Sequence, residues 1–200
     1  MRTAFAFTVA ALCASTSALA SAPPGQPAPA FTLTDLSGKA VNLADYKGKT
    51  VVLEWHNFGC PFVQKHYRSG NMQALQKKYA NDVVWLAVNS TAKTAFDYME
   101  PAVVSKELTQ FKAAPANYLM DESGSVGMSY AARTTPHMYI IDASGKVVYN
   151  GAIDDKRSAN VEDVKGAKNY VAAALDAGMA GKAIETASSQ AYGCSVKYVN

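Results

Sequence analysis

Apolar positions along this 200-residue chain fall into short blocks with two different periods. "FTLTDLSGKAVNL" (31–43) alternates apolar and polar residues on both sides of Ser37-Gly38-Lys39, which predicts a hairpin. "TVVLEWHNF" (50–58) and "DVVWLAVN" (82–89) are near-continuous runs of β-formers, the pattern of strands covered on both faces. The first run stops at Gly59, and Pro61 then stands where proline is tolerated, at the opening of a helix. Ser69-Gly70-Asn71 cuts that helix short, and a second follows with Met72, Leu75 and Tyr79 on one face. Pro101 opens a third helix through "AVVSKELTQFKAA". "NYLMD" reads as a short strand, "SVGMSYAA" as a turn or two of helix, and "HMYIIDASGKVVYNGAI" as a hairpin turning at residues 143–146. An Ala-rich helix is expected over about 160–187, before the tail "SSQAYGCSVKYVN". Strands alternating with helices in this order imply an α/β sandwich around a central mixed sheet. Lys65, Arg68, Lys77 and Lys78 read as a solvated helical face.

The first residues change where the folded chain is expected to begin. "MRTAFAFTVAALCASTSALASA" has a basic start, an apolar stretch and small residues at Ala18-Leu19-Ala20, so residues 1–20 are expected to be a signal peptide. The apolar stretch is well short of the roughly 20 residues that span a bilayer. The expected organisation is a signal peptide over 1–20, a mobile Pro-rich entry over 21–27 and one domain over 28–200, exported to the periplasm or the medium. With Arg2 removed, 18 basic residues face 16 acidic ones. A balance so near neutral gives no reason to expect nucleic acid or an anionic membrane as partner.

Cysteine usage then carries the chemistry. Cys13 falls within the leader, so the exported chain keeps only Cys60 and Cys194. Oxidising surroundings favour pairing, and two cysteines allow one intramolecular pair. Cys60 lies between a buried strand and a helix start, where unpaired backbone N–H groups and the helix dipole stabilise a thiolate. The plainer reading is an inert, buried cysteine. Glu54 is a carboxylate inside an apolar run, costly unless paired or neutral. Desolvation would raise its pKa and make it a proton acceptor near neutral pH; an ion pair at a wetter strand end is the alternative. His56, His66 and His137 raise a metal reading, since imidazole with sulfur suits copper or zinc.

The segments "VVLEWHNFGCPFVQKHY", "SGNMQALQKKY", "LMDESGSVGMSYAARTTPHMYIIDASGKVVYNGAIDD" and "YGCSVKY" resemble thioredoxin-fold proteins, and most closely the peroxiredoxin-like branch of the redoxins. The resemblance implies a thioredoxin-like three-layer sandwich with an N-terminal β-hairpin, and thiol–disulfide chemistry without a cofactor or metal. Cys60 matches the nucleophile of that family and Glu54 the buried acid six residues before it. Thr135-Pro136 matches the loop with a cis proline beside the nucleophile. Trp55, Phe58, Pro61 and Thr135 are then expected to receive the substrate, and Pro136 to shape that surface.

Two departures matter. Val63 replaces the second cysteine of the thioredoxin motif, so no local disulfide can form. True peroxiredoxins carry their peroxidatic cysteine at that second position behind a threonine, and here Val63 and Asn57 stand in those two places. Arg133 is a candidate partner for the thiolate, the plainer reading being an arginine on a surface loop. Cys194 is the remaining source of a partner for Cys60, at 134 positions' separation (194 − 60). A bond closing so long a loop stabilises by roughly 5 kcal/mol on the chain-entropy model, so a purely structural staple fits the same residues. Two readings therefore stand. One is an exported thiol–disulfide oxidoreductase with thiol-peroxidase activity, acting on a disulfide or peroxide and restored by an external thiol reductant. The other is a non-enzymatic thioredoxin-fold module that binds a metal or a protein partner.

Overall fold

The computed structural model describes residues 22–199; the expected signal peptide lies outside the described residues. The hairpin is formed by β1 (Thr32–Asp35) and β2 (Ala40–Asn42). There follow β3 (Thr50–Trp55), α1 (Pro61–Arg68), α2 (Asn71–Lys78), β4 (Val83–Asn89), α3 (Pro101–Gln110), β5 (Asn117–Met120) and α4 (Ser125–Tyr130). The two-residue β6 (Thr134–Thr135) precedes β7 (His137–Ile141), β8 (Val147–Gly151), α5 (Tyr170–Met179) and the two-residue β9 (Cys194–Ser195).

Seven strands form one mixed sheet in the order β2-β1-β5-β4-β3-β7-β8. The pairs β3–β4 and β4–β5 are parallel and the others antiparallel. This is the thioredoxin-like sandwich implied by the resemblance, with its N-terminal hairpin on one edge. The near-continuous apolar runs have a simple cause: both faces of the central strands are covered. Val52, Ala87, Tyr118, Met138 and Ile140 point to a core shared with α1, α2, α3 and α5. Their neighbours Val51, Leu53, Trp55, Val88 and Tyr139 point to the opposite core, beneath α4 and the hairpin.

Three expectations need correction. The terminal helix is much shorter than the Ala content implied. Asn169 caps it by accepting from the Ala172 N–H, and Gly181, at φ +64, follows its end. Residues 161–166 before it make a 3₁₀ turn. The Pro-rich entry is not loose where it is described: Gly25 N–H donates to Val147 O and Val147 N–H to Gln26 O, and Ala22 is buried. Lys65 is no surface cation either; its side chain has 0% exposure and faces Asp154. Helical periodicity places Lys65 beside Arg68, which is exposed, but the tail that covers Lys65 comes from 127 residues further along the chain.

Candidate active site

The site is built at the junction of β3 and α1. Cys60 is the N-cap of α1, with extended backbone (φ −85, ψ 122) and Pro61 at the first helical position. Asn57 fixes this turn. Its side-chain oxygen accepts from the Gly59 N–H at 2.7 Å, and its backbone oxygen accepts from the Cys60 N–H at 3.0 Å. The Asn57 amide donates to Thr91 Oγ1 and to Asp97 O, tying the turn to the loop after β4. Asn57 thus holds the cysteine's backbone, a role its place in the sequence did not reveal.

Cys60 itself is only 2% exposed. Its thiol donates to the Thr135 carbonyl at 2.9 Å, and its sulfur lies 2.7 Å from that of Cys194. Both cysteines are free thiols here. The Thr135–Pro136 peptide is cis. Cys194 arrives because the tail returns as a strand: β9 pairs antiparallel with β6, setting Cys194 opposite Thr135 and Ser195 opposite Thr134. Burial and the adjoining Cys60 sulfur push the Cys194 thiol up to about 12, so it keeps its proton while the two thiols face each other.

Glu54 lies on the same face of the sheet as Cys60, fully buried. Trp85 Nε1 donates to it at 2.8 Å and the Tyr67 hydroxyl at 3.2 Å. Burial raises its pKa to about 7, with the Trp85 and Tyr67 hydrogen bonds opposing the rise. Its hydrogen bonds run to these two side chains and none to either thiol.

The remaining expected residues divide. Pro61 is exposed beside the thiol, while Thr135 and Pro136 are buried against it and its partner strand. Trp55 has no exposed surface and points into the opposite core, where its Nε1 donates to Ser90. Phe58 is also buried, stacked on Phe111 at a centroid distance of 5.3 Å. Neither ring offers a face to a substrate; strand alternation turns Trp55 away, and the helical layer covers Phe58. Arg133 is exposed. His56 packs among Phe58, Tyr67 and Tyr118, burial pulls its pKa down to about 3, and its Nε2 has no partner. His66 and His137 lie elsewhere, His137 on the opposite side of the sheet against Tyr139. Among the described residues, no three His, Cys, Asp or Glu side chains converge as a metal site.

The fold is thioredoxin-like, with two facing thiols at the start of α1. The chain belongs to the Redoxin family, whose model matches residues 23–170. Cys194 and its tail lie beyond that match. The "Thioredoxin-like protein YneN" of Bacillus subtilis is 31% identical over 129 residues, 62% of this chain and 68% of that protein. The "Thiol-disulfide oxidoreductase ResA" of Bacillus thuringiensis subsp. konkukian is 29% identical over 124 residues, 62% of this chain and 66% of that protein. The chain therefore spans about two thirds of these relatives' length. An uncharacterized conserved protein from Geobacillus kaustophilus superposes with a TM-score of 0.74 at 30% identity, covering 88% of this chain and 93% of that one.

Proposed function

We propose that this protein is a thiol–disulfide oxidoreductase in which Cys60 attacks and Cys194 resolves. The observation that carries this reading is the meeting of the two sulfurs at the start of α1, 134 positions apart in sequence and 2.7 Å apart in space. The ResA relatives are named as thiol-disulfide oxidoreductases, which supports the same chemistry.

In the first step the Cys60 thiolate attacks one sulfur of a substrate disulfide, forming a mixed disulfide and releasing the other sulfur as thiolate. Cys60 attacks from the N-cap of α1. Cys194, as thiolate, then attacks the Cys60 sulfur, forms the Cys60–Cys194 disulfide and releases the second substrate thiol. Two electrons have passed from the dithiol to the substrate, and an external thiol reductant returns them. Glu54, poised near neutral pH on the same face as Cys60, is the proposed proton acceptor for the pair. Peroxide is a second oxidant for the same dithiol. Cys60 takes one oxygen as sulfenic acid and releases the alcohol or water, and Cys194 condenses with that sulfenic acid to give the disulfide and water. Export to an oxidising compartment, proposed from the leader-like first 20 residues, would place the pair where disulfide substrates occur.

The test is the reduction potential of the Cys60–Cys194 pair, from thiol trapping across a glutathione series. A value between roughly −120 and −270 mV is expected of a working oxidoreductase, and Cys60→Ser should abolish disulfide reduction. A value below about −300 mV would make the pair a structural staple and overturn the proposal in favour of a binding module.

A further inference from the structure

The tail that delivers Cys194 is seated on a buried polar cluster that the chemistry above does not use. Two residues before Cys194, Tyr192 is only 5% exposed. Its hydroxyl donates to Asp154 Oδ1. It also accepts from Lys65 Nζ at 3.3 Å. Asn71 donates its amide to His66 Nδ1 at 2.9 Å, which leaves the proton on Nε2 to point at the Tyr192 oxygen, 3.4 Å away. Burial pulls the His66 pKa down to about 4, in keeping with this neutral ring. A phenolic oxygen has one proton to give and two lone pairs to fill, and here all three are engaged by buried groups.

On the other side of the cluster, Asp154 Oδ2 has the Lys65 ammonium as its charge partner and no hydrogen bond. Lys65 Nζ donates to Lys156 O at 2.7 Å and faces Asp154 Oδ2 at 3.5 Å, with both side chains excluded from solvent. Asp154 Oδ1 takes a further hydrogen bond from the Lys156 N–H. The Phe62 ring packs edge-on to Tyr192 at 5.9 Å. Phe62, Lys65 and His66 all belong to α1, whose N-cap is Cys60. One short helix therefore carries the nucleophile at its start and, within its next two turns, the seat for the segment that brings in the second thiol. A buried ion pair gains little net stability by itself, so its service as a registration device is the more instructive use.

We propose that Tyr192 is a positioning residue for the resolving step, fixing the register of the tail so that Cys194 meets Cys60. This inference rests on the proposed role of Cys194 as resolving thiol. A tail held in one register replaces a chain search by a high effective concentration of the second thiol. Removing the hydroxyl unties the register and leaves both cysteines chemically intact.

The experiment uses the full chain and compares wild type with Tyr192→Phe at equilibrium with reduced and oxidised glutathione, without any substrate. We expect Tyr192→Phe to lower the effective concentration of Cys194 about tenfold, raising the pair's potential by about 30 mV. Protein–glutathione mixed disulfide on Cys60 should accumulate in parallel. A core variant in β1, Leu33→Ala, destabilises the fold without altering the cluster around Tyr192 and should leave the thiol equilibrium where it was. If Tyr192→Phe does not fold, the triple variant K65M/D154L/Y192F replaces the whole cluster with apolar side chains, and the same tenfold change is expected. An unchanged glutathione equilibrium in a folded variant overturns the positioning role alone. Failure of the wild-type protein to form a Cys60–Cys194 disulfide at any glutathione ratio overturns the functional reading beneath it.

Discussion

Gly193 passes so close beneath the Thr135 carbonyl that a Cβ placed on it would lie 2.0 Å from that oxygen. The backbone there is at φ +142, where an L side chain is strained as well. Beside a reactive cysteine in a tail, a glycine invites a reading of flexibility. Its actual service is close packing, which lets β9 lie against β6.

Gly193→Ala should accordingly lift the tail off the Thr135 strand. We expect a loss of about 1 kcal/mol or more in stability. The larger change should be in access: Cys60 in the reduced protein should label with a bulky thiol reagent at least several-fold faster. Unchanged labelling would mean that β9 does not shield the thiol.

Cys194→Ser separates the two chemical steps. The variant retains Cys60 at the N-cap of α1 and loses the thiol 2.7 Å away. Mass spectrometry should find a stable Cys60 mixed disulfide after exposure to a disulfide substrate, and turnover should fall by at least tenfold. Turnover at the wild-type rate would show that resolution comes from an outside thiol.

Lys65→Ala removes one half of an ion pair that has no solvent to fall back on. Asp154 would be left buried without its cation, and such broken pairs cost about 3–5 kcal/mol. Urea denaturation at pH 7 measures the loss. A change below 1 kcal/mol would assign the position to the solvated face that its spacing from Arg68 implied.

The buried acid and the buried histidines give opposite pH signatures. Glu54 ionises at about 7 in the folded protein and near its ordinary 4.5 when unfolded. The folded state therefore binds more protons between those values, and this group's stabilisation, complete below about pH 4.5, is lost as pH rises to 7. His56, His66 and His137 are held neutral, with pKa values lowered to about 3, 4 and 4 by burial. Their contribution is complete above pH 6.5 and is lost as pH falls toward 4. With three groups against one, wild-type stability should rise from pH 4 to 6.5. Glu54→Gln keeps acceptors for Trp85 and Tyr67, and its stability relative to wild type should climb between pH 4.5 and 7 by an amount on the order of 3 kcal/mol. A pH-independent difference would place the titration elsewhere.

Much of this molecule was legible along the chain. The strands were, because burial on both faces demands unbroken apolar runs, as in Val51–Leu53 and Val83–Val88. Both hairpins showed in their turn residues, and the start of α1 in Pro61. Cys60 and Glu54 stood out because each breaks the local pattern, a thiol at a helix start and a carboxylate in a core strand. Trp55 was misassigned to the substrate surface because nearness to Cys60 in sequence says nothing about which side of the sheet a side chain takes; alternation sends it to the far core.

The rest was decided in three dimensions. Nothing local distinguishes buried Lys65 from exposed Arg68 on the same helix; the difference is made by Asp154 and Tyr192, which reach it from 89 and 127 residues away. The same holds for Gly193, whose need for a missing Cβ exists only because Thr135 lies opposite. The strands, the helix start after Cys60 and the presence of a second thiol follow from local period and residue chemistry along the chain. Where that second thiol goes was settled by tertiary structure alone, because pairing a tail with a loop 60 residues back depends on surfaces that do not exist until the domain has folded.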